Sequence, residues 1–318
     1  MKLNMSKMVF LNTIILSCLI SFSTNNWLTI WIMMETSLFM FIPLMSKNKI
    51  NDQSMKYFIV QSTSSYILIF SIMWTSVKES NLNSLMTLIS LMIKIGMPPF
   101  HIWKPEIMKN LKWTECMVLT TLNKIPPMIM LNKLINLNLL TFPLTMALVV
   151  GGISGLNQLN LKKMMAYSSI FNVSWMTSSF MTTKKTMLTF LIMYSMLNIK
   201  TMIFFKKNNL MFKNQLNYIS FKKKMILNLN LLSISGLPPL TGFYPKWIIL
   251  NEMVKTSLYL STFMILTSTI TIFMYTQINM FSISNLMTKK KSSKMFFSKN
   301  FSFINILVLP IMLILWTF

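Results

Sequence analysis

The sequence is poor in the residues that hold metals and redox cofactors. It has two cysteines, Cys18 and Cys116, and one histidine, His101, and the three are far apart along the chain. Zinc, iron–sulfur and haem sites need clusters of thiolate or imidazole ligands. The sequence also lacks a G-x-G-x-x-G dinucleotide fingerprint and a Walker A loop. It therefore predicts no redox centre, no metal site and no cofactor in this chain.

Acidic residues are scarce and arginine is absent. The 318 residues include 30 basic residues, all of them lysine, and only 6 acidic residues, so the formal net charge is +24. That balance is typical of nucleic-acid binders. However, charged residues make up only 11% of the chain, against about 25% in soluble domains. With 53% hydrophobic residues, the chain also differs from disordered proteins. The composition indicates an integral membrane protein and argues against a nucleic-acid partner.

Eleven apolar segments are long enough to cross a membrane as helices, which takes about 20 residues each. They are predicted at 3–23, 26–46, 56–77, 82–103, 114–134, 139–157, 164–181, 185–205, 225–254, 256–280 and 301–318. The predicted fold class is an all-α polytopic membrane protein with about 11 transmembrane helices and no soluble domain. The ninth segment is too long for one straight helix, and its glycine and prolines predict a break.

The lysines concentrate on one side of this map. The connections on the N-terminal side hold 21 lysines, including Lys104, Lys162, Lys213 and Lys224, and the opposite connections hold 5. By the positive-inside rule, the N-terminus faces the mitochondrial matrix or a bacterial cytoplasm, and the C-terminus faces the other side. The 34 methionines are typical of an AT-rich invertebrate mitochondrial gene. An AT-rich bacterial genome is the alternative source.

Four lysines and one glutamate fall inside predicted spans. Lys200 lies about one turn from a span end, so its long side chain can reach the membrane surface. Glu35, Lys94 and Lys124 lie near the middle of spans, and Lys246 follows the break in span nine. A charge at the bilayer centre costs roughly 2.5–3.5 kcal/mol, so such residues face the protein interior and have partners.

Two interpretations of these buried charges remain. A structural ion pair would account for Glu35 and one lysine, but it would leave two lysines unexplained. A buried lysine without a counter-charge releases its proton easily, whereas a nearby carboxylate holds the proton on. We therefore favour a proton relay formed by Glu35, Lys94, Lys124 and Lys246.

A duplicated motif predicts two broken helices. Residues 96–106 read GMPPFHIWKPE and residues 236–246 read GLPPLTGFYPK, and the two align without gaps. The predicted breaks are at Gly96, Pro98, Pro99, Gly236, Pro238 and Pro239. In lipid, such breaks survive only inside protein or beside a water-filled cavity, and matching breaks in two halves indicate a transport site.

The two copies of the motif lie five spans apart. Because five is odd, they run through the membrane in opposite directions. This predicts a single membrane domain that comprises two inverted five-helix repeats, 1–134 and 139–280, and a final helix, 301–318.

Small and polar residues in spans six and seven give weaker signals. Gly151 and Gly152, with Gly155, predict close packing of span six against a neighbour. The polar side chains around Asn172 in span seven either line a hydrated path or form hydrogen bonds between helices.

Four strings resemble the NADH–ubiquinone oxidoreductase chain 2 family of antiporter-like subunits in respiratory complex I. They are WIMMETSLFMFIPL, KIGMPPFHIWKPE, LNQLNLKKMMAYSSI and GLPPLTGFYPKW. The resemblance covers roughly 25–255, and the family is similar to the Mrp-type cation/proton antiporters. It implies that the family's proton-path glutamate falls on Glu35 and its three lysines on Lys94, Lys124 and Lys246.

At one place the chain departs from the family's pattern. Relatives often have histidine and glycine after the AYSSI string, where this chain has Asn172 and Ser174. Any proton-transfer role of that histidine is therefore absent or altered here.

The resemblance also implies a function, a location and partners. The chain would conduct protons across the mitochondrial inner membrane, driven by electron transfer from NADH to ubiquinone in other subunits. Those subunits would hold NADH, FMN, iron–sulfur clusters and ubiquinone, and this chain would contact membrane-arm subunits and lipids. The alternatives are an Mrp-type cation/proton antiporter subunit and a structural spacer between proton-active neighbours.

Overall fold

The structure is a computed structural model, and it describes residues 5–46, 52–77, 81–133, 137–181, 184–238 and 240–284. Within these ranges the chain is helical, and its one β-type pairing is an isolated bridge between Asn160 and Phe212. The predicted all-α fold class is confirmed for this part of the chain. The predicted final helix 301–318 and Pro239 lie outside the described residues.

The described ranges contain thirteen α-helices and three short 3-10 segments. The first seven helices are α1 (Met5–Ser23), α2 (Trp27–Ser46), α3 (Asp52–Val77), α4 (Asn81–Ile95), α5 (Trp103–Asn110), α6 (Trp113–Thr120) and α7 (Ile125–Lys133). The others are α8 (Leu137–Leu156), α9 (Leu161–Ser178), α10 (Lys184–Lys207), α11 (Phe221–Ser235), α12 (Phe243–Thr256) and α13 (Leu258–Ser284). The 3-10 segments are Leu122–Lys124, Ser179–Met181 and Lys213–Tyr218.

Six of the described helices are long and apolar enough to cross a membrane, namely α1, α2, α3, α8, α10 and α13. The predicted continuous helix at 114–134 is wrong, because the chain is interrupted at Thr121 between α6 and α7. Pro126 and Pro127 lie in the first turn of α7 and remove two backbone donors, so α6 and α7 cannot join as one continuous α-helix. The carbonyl of Leu122, which has no amide donor at Pro126, accepts from the backbone N–H of Ile125 and from Cys18 Sγ of α1, the latter at 3.4 Å.

The described helices form two compact units that divide between Ala147 and Leu148. In the first unit, α1 packs on α2, α3 packs on α4, and α7 contacts α1, α2 and α4. In the second unit, α11 and α12 each contact both α10 and α13, while α9 contacts α10 and α12. In each unit, a helix that adjoins a break is therefore packed among longer helices.

The outer and inner surfaces of these units have the polarity expected in lipid. Large apolar side chains such as Leu19, Phe70 and Leu266 are more than half exposed, whereas many serines and threonines are buried. The buried hydroxyls donate hydrogen bonds to backbone carbonyls of their own helix, as Ser64 Oγ does to the Gln61 carbonyl at 2.7 Å. Apolar surface therefore faces the membrane and hydrogen-bonded polar groups face inward.

Two glycines end the helices that precede the breaks of the duplicated motif. Gly96 has a φ of +76° and Gly236 a φ of +83°, in the left-handed region that glycine adopts at little cost. Each is followed by an amide that donates to a carbonyl five residues back, as Met97 does to Met92 at 3.0 Å and Leu237 does in the second copy. This is the Schellman arrangement of a helix C-terminus. The copies of the motif thus begin where α4 and α11 end.

Four lysines that the charge count assigns to the membrane-surface connections are buried. They are Lys104, Lys162, Lys213 and Lys224, with exposed fractions of 1%, 4%, 6% and 2%. Lys213 Nζ donates to the carbonyl of Leu156, the last residue of α8, at 3.2 Å, and burial lowers the pKa of Lys213. The charge count assigns these four lysines to one side of the membrane and does not predict their burial. For Lys213 and Lys104 the reason for the burial is that the long side chain reaches a free helix-end carbonyl.

Helices α8 and α9 approach each other closely at Gly151. A Cβ atom at Gly151 would lie 2.7 Å from the backbone nitrogen of Phe171, closer than side chains tolerate. At the neighbouring Gly152, a Cβ atom would lie 3.5 Å from Ile270 Cγ2, an ordinary van der Waals contact. The close packing predicted for span six is therefore confirmed at Gly151.

We expect Gly151→Ala to destabilise the protein by about 1–3 kcal/mol, because the added methyl group forces the backbone of α9 to shift. Gly152→Ala is the matched control and should leave stability unchanged or slightly raised, since alanine favours helix. The measurement is the thermal denaturation midpoint of the protein purified in detergent. Equal midpoints for the two variants would show that the close approach at Gly151 does not constrain the fold.

Candidate functional site

Glu35 and Lys94 form a buried ion pair in the first unit. Lys94 Nζ donates to Glu35 Oε1 at 2.8 Å, and the two side chains are 3% and 15% exposed, respectively. Glu35 lies in the middle of α2, and Lys94 lies in the last turn of α4, two residues before the predicted break at Gly96. The helix ends early because Gly96 follows. The backbone carbonyl of Lys94 accepts a hydrogen bond from Gln61 Nε2 of α3 at 3.3 Å, so this helix end is satisfied by a side chain.

Lys124 is buried, and it lies in the 3-10 segment Leu122–Lys124. The sequence predicts Lys124 at the midpoint of a continuous helix, whereas the structure has it at a third helix break. Thr121 sits at this break, and its Oγ1 donates to the carbonyl of Met117 at 2.7 Å. The two prolines that follow Lys124 signal such a break, but they lie outside the duplicated motif.

Lys104 joins these residues, although sequence reasoning assigned it to the membrane surface. It is the second residue of α5, and its Nζ donates to the carbonyl of Ile95, the last residue of α4, at 3.1 Å. The side chains of Lys104 and Lys124 also form a hydrogen bond with each other. The position of Lys104 in the WKPE string, eight residues after Gly96, does not indicate that its side chain is buried.

Lys94, Lys104 and Lys124 line one small cavity. The cavity has space for about one water molecule, and polar side chains of Tyr57, Gln61 and Asn123 also line it. Asn123 Nδ2 donates to the Tyr57 hydroxyl at 3.4 Å. The arrangement places three amines around a small polar space, and one of them, Lys94, is paired with the carboxylate of Glu35.

Lys246 lies in a separate cavity in the second unit. It is in the first half of α12, and its Nζ donates to the carbonyl of Ser235, the last residue of α11, at 2.8 Å. The amine also lies 5.3 Å from the ring centre of Phe171 and 5.2 Å from that of Trp175, within the range of cation–π attraction. No carboxylate of the described residues forms an ion pair with Lys246. Aromatic rings and a carbonyl therefore take the place of a counter-ion.

Asn172 lines the same cavity as Lys246. Its Nδ2 donates to the carbonyl of Ser168 one turn back at 2.8 Å. Ser169 forms a hydrogen bond with Tyr194 of α10, which links two helices. Of the two interpretations of this polar stretch, Asn172 fits the lining of a path and Ser169 fits bonding between helices.

The predicted site residues thus fall into two groups. Glu35, Lys94 and Lys124 lie together in the first unit, and Lys246 lies in the second. Lys200 is half-buried in α10 and lines neither of these cavities. Within the described ranges, no group of three or more His, Cys, Asp or Glu side chains is placed to hold a metal ion.

Comparison with known proteins identifies the family of this chain. The family described as NADH:quinone oxidoreductase/Mrp antiporter, transmembrane, matches residues 24–274. NADH-ubiquinone oxidoreductase chain 2 of Locusta migratoria is 35% identical over 294 residues, which cover 88% of this chain and 86% of the relative. The protein of the same name from Bos taurus is 35% identical over 307 residues, covering 89% of this chain and 88% of the relative.

Two solved structures share the fold. Respiratory complex I from Thermus thermophilus with bound aureothin contains a chain that matches with a TM-score of 0.79 at 16% identity, covering 99% of this chain and 78% of that one. The Mrp complex from Dietzia sp. matches with a TM-score of 0.71 at 11% identity, covering 80% and 56%. The resemblance predicted from four sequence strings is confirmed, and the chain belongs to the NADH-ubiquinone oxidoreductase chain 2 family, among the NADH:quinone oxidoreductase/Mrp antiporter transmembrane proteins.

Proposed function

We propose that this chain is the antiporter-like, proton-conducting subunit 2 of respiratory complex I. The observation that carries the proposal is the buried Glu35–Lys94 ion pair, which adjoins a cavity lined by two further lysines. The names of the relatives support the assignment to NADH–ubiquinone oxidoreductase. Electron transfer, with NADH, FMN, iron–sulfur clusters and ubiquinone, takes place in other subunits. The chain lies in the mitochondrial inner membrane with its N-terminus in the matrix, and it contacts other membrane-arm subunits and lipids.

The ion pair works as a switch in this proposal. While Glu35 contacts Lys94, the carboxylate stabilises the ammonium and the proton stays on the lysine. When a conformational or electrostatic change from a neighbouring subunit moves Glu35 away, the ammonium loses its counter-charge in an apolar interior. The proton then leaves Lys94 for a nearby acceptor in the same cavity. Restoring the contact reloads Lys94.

Lys124 receives and passes protons in the first unit, and Lys246 is the proton site of the second. The rings of Phe171 and Trp175 stabilise the charged form of Lys246 without a mobile carboxylate. In this way each unit holds at least one proton away from water, and movement of Glu35 sets the timing.

The architecture we propose has eleven spans, arranged as two inverted five-helix repeats, 1–134 and 139–280, and a final helix, 301–318. The matching ends of α4 and α11, each at a glycine with positive φ, support the duplication. The break between α6 and α7 has a different origin, in the two prolines that follow Lys124.

An Mrp-type cation/proton antiporter subunit is the second candidate, because the Mrp complex of Dietzia sp. has the same fold. The two candidates differ in assembly. A subunit of complex I co-migrates with a large assembly that oxidises NADH, whereas a subunit of an Mrp antiporter does not.

Replacing Lys124 with Met tests the relay. We expect coupled NADH oxidation and proton pumping in the reconstituted complex to fall at least about tenfold, because a positioned proton carrier contributes two or more orders of magnitude. Lys109→Met, at an exposed lysine of α5 in the same unit, is the control and should pump normally. The relay fails if Lys124→Met retains both normal turnover and the normal number of protons per NADH.

The Glu35–Lys94 pair is tested by single and double replacements. Glu35→Gln should lower the amount of assembled complex, because removing one partner of a buried pair costs about 3–5 kcal/mol. The double variant Glu35→Gln with Lys94→Met should restore assembly without restoring pumping. Native gels and proton-pumping assays on the same membranes measure the two effects. Recovery of pumping together with assembly would identify the pair as purely structural, in favour of a spacer role.

A further inference from the structure

Lys104 and Lys246 make the same contact at the two breaks of the duplicated motif. Lys104 Nζ donates to the carbonyl of Ile95 at 3.1 Å, and Lys246 Nζ donates to the carbonyl of Ser235 at 2.8 Å. In each case the acceptor is the residue before a glycine with positive φ. Each lysine side chain also runs against that glycine, with its Cδ 3.3 Å (Lys104) or 2.9 Å (Lys246) from the place of a Cβ atom.

The sequence motif conceals this equivalence. In the gapless alignment, Lys246 is paired with Glu106, and Lys104 is paired with Tyr244. The two lysines differ in position by two residues along their helices, yet both reach the carbonyl that the break frees. The same type of contact therefore occurs in both units. In the first unit it is made by Lys104, which is not among the predicted site residues.

Only Lys104 also forms a hydrogen bond with a second buried lysine. An ammonium group has three donors and no acceptor, so two charged lysines cannot form a hydrogen bond with each other. A hydrogen bond between Lys104 and Lys124 therefore requires that at least one of the two amines is neutral. The contact with the Ile95 carbonyl stabilises the charged form of Lys104. With one proton between the two amines, we therefore place it on Lys104, and the lone pair of Lys124 accepts from Lys104.

We propose that Lys104 is an additional proton-carrying residue of this chain and that it shares one proton with Lys124. This proposal rests on the proposed function and adds a residue to it. In the transfer, an N–H bond of the Lys104 ammonium breaks, its electron pair stays on Lys104, and a new N–H bond forms on Lys124. Two amines and one proton are present before and after the step, and no electron is transferred between molecules. Lys104 thus stores the proton between release from Lys94 and loading of Lys124.

A purely structural role would be to satisfy the Ile95 carbonyl. Lys213 has that role at the end of α8, where it donates to the carbonyl of Leu156 at 3.2 Å. This explains one contact of Lys104 but not its hydrogen bond with Lys124, nor its position in the same cavity as Lys94.

Lys104→Gln separates the two roles, because an amide still donates a hydrogen bond but cannot carry the proton. We expect Lys104→Gln in the reconstituted complex to reduce coupled NADH oxidation and proton pumping at least about tenfold. Lys213→Gln is the matched control, since it changes a buried lysine with the same type of carbonyl contact, and it should pump at the normal rate. Normal pumping by Lys104→Gln overturns the proposal.

Lys104→Arg is the second variant, and it guards against a failure of the glutamine variant to assemble. Arginine keeps a positive charge and N–H donors at this position, so this variant does not place a neutral side chain where the folded complex has a charged one. Arginine is not deprotonated in proteins, so it cannot release the proton. A rate at least about tenfold below normal supports the proposal, and a normal rate overturns it.

A double variant distinguishes proton sharing from an indirect structural effect. If Lys104 and Lys124 share one proton, adding Lys104→Gln to Lys124→Met causes no further loss, because the shared step is already absent. Losses that multiply in the double variant would contradict sharing. Normal pumping by Lys104→Gln, with loss in Lys124→Met, removes this inference and leaves the proposed function intact. Normal pumping by both single variants removes the proposed function itself.

Discussion

Inside a membrane, a backbone carbonyl freed by a helix break needs a partner from the protein, and the two cavities described above form around that constraint. The carbonyl of Ile95 is satisfied by Lys104, that of Lys94 by Gln61, and that of Ser235 by Lys246. Long polar side chains must therefore reach into the interior wherever a helix stops. Each such side chain brings a charge or a dipole with it. The same breaks that disrupt the helices thus assemble the polar groups that hold protons.

The buried charges of the first unit are only partly balanced. Glu35 balances Lys94, while Lys104 and Lys124 hydrogen-bond each other. In the state that we propose, the group carries one proton fewer than it has lysines, which lowers the charge held in the apolar surrounding. If Glu35 moves as we propose, a carboxylate beside two amines that share one proton can change the proton content of the group with small motions. A rigid, fully paired network would lack that property.

The sequence predicts much of this site, because intramembrane charges and proline-rich breaks have strong signals. Glu35 and Lys94 stand out by their position in apolar segments, and the duplicated motif predicts the ends of α4 and α11. The break beside Lys124 is missed because Pro126 and Pro127 lie outside the duplicated motif. Lys104 is missed because counting charges at span ends assumes that lysine reaches water, whereas a free carbonyl nearby is an equally good partner for its amine. The hydrogen-bond partner of a lysine near a helix end depends on tertiary contacts, which the hydrophobic periodicity of the sequence does not predict.

The buried lysines of the two units are stabilised by different groups: aromatic rings lie beside Lys246, whereas a carboxylate lies beside Lys94. Phe171 and Trp175 are fixed in the packed interior of α9, so the attraction that they exert on the amine is constant in time. In the mechanism we propose, by contrast, the attraction that Glu35 exerts on Lys94 changes when the carboxylate moves. The stabilisation of the ammonium group would therefore vary at Lys94 in the first unit and stay constant at Lys246 in the second.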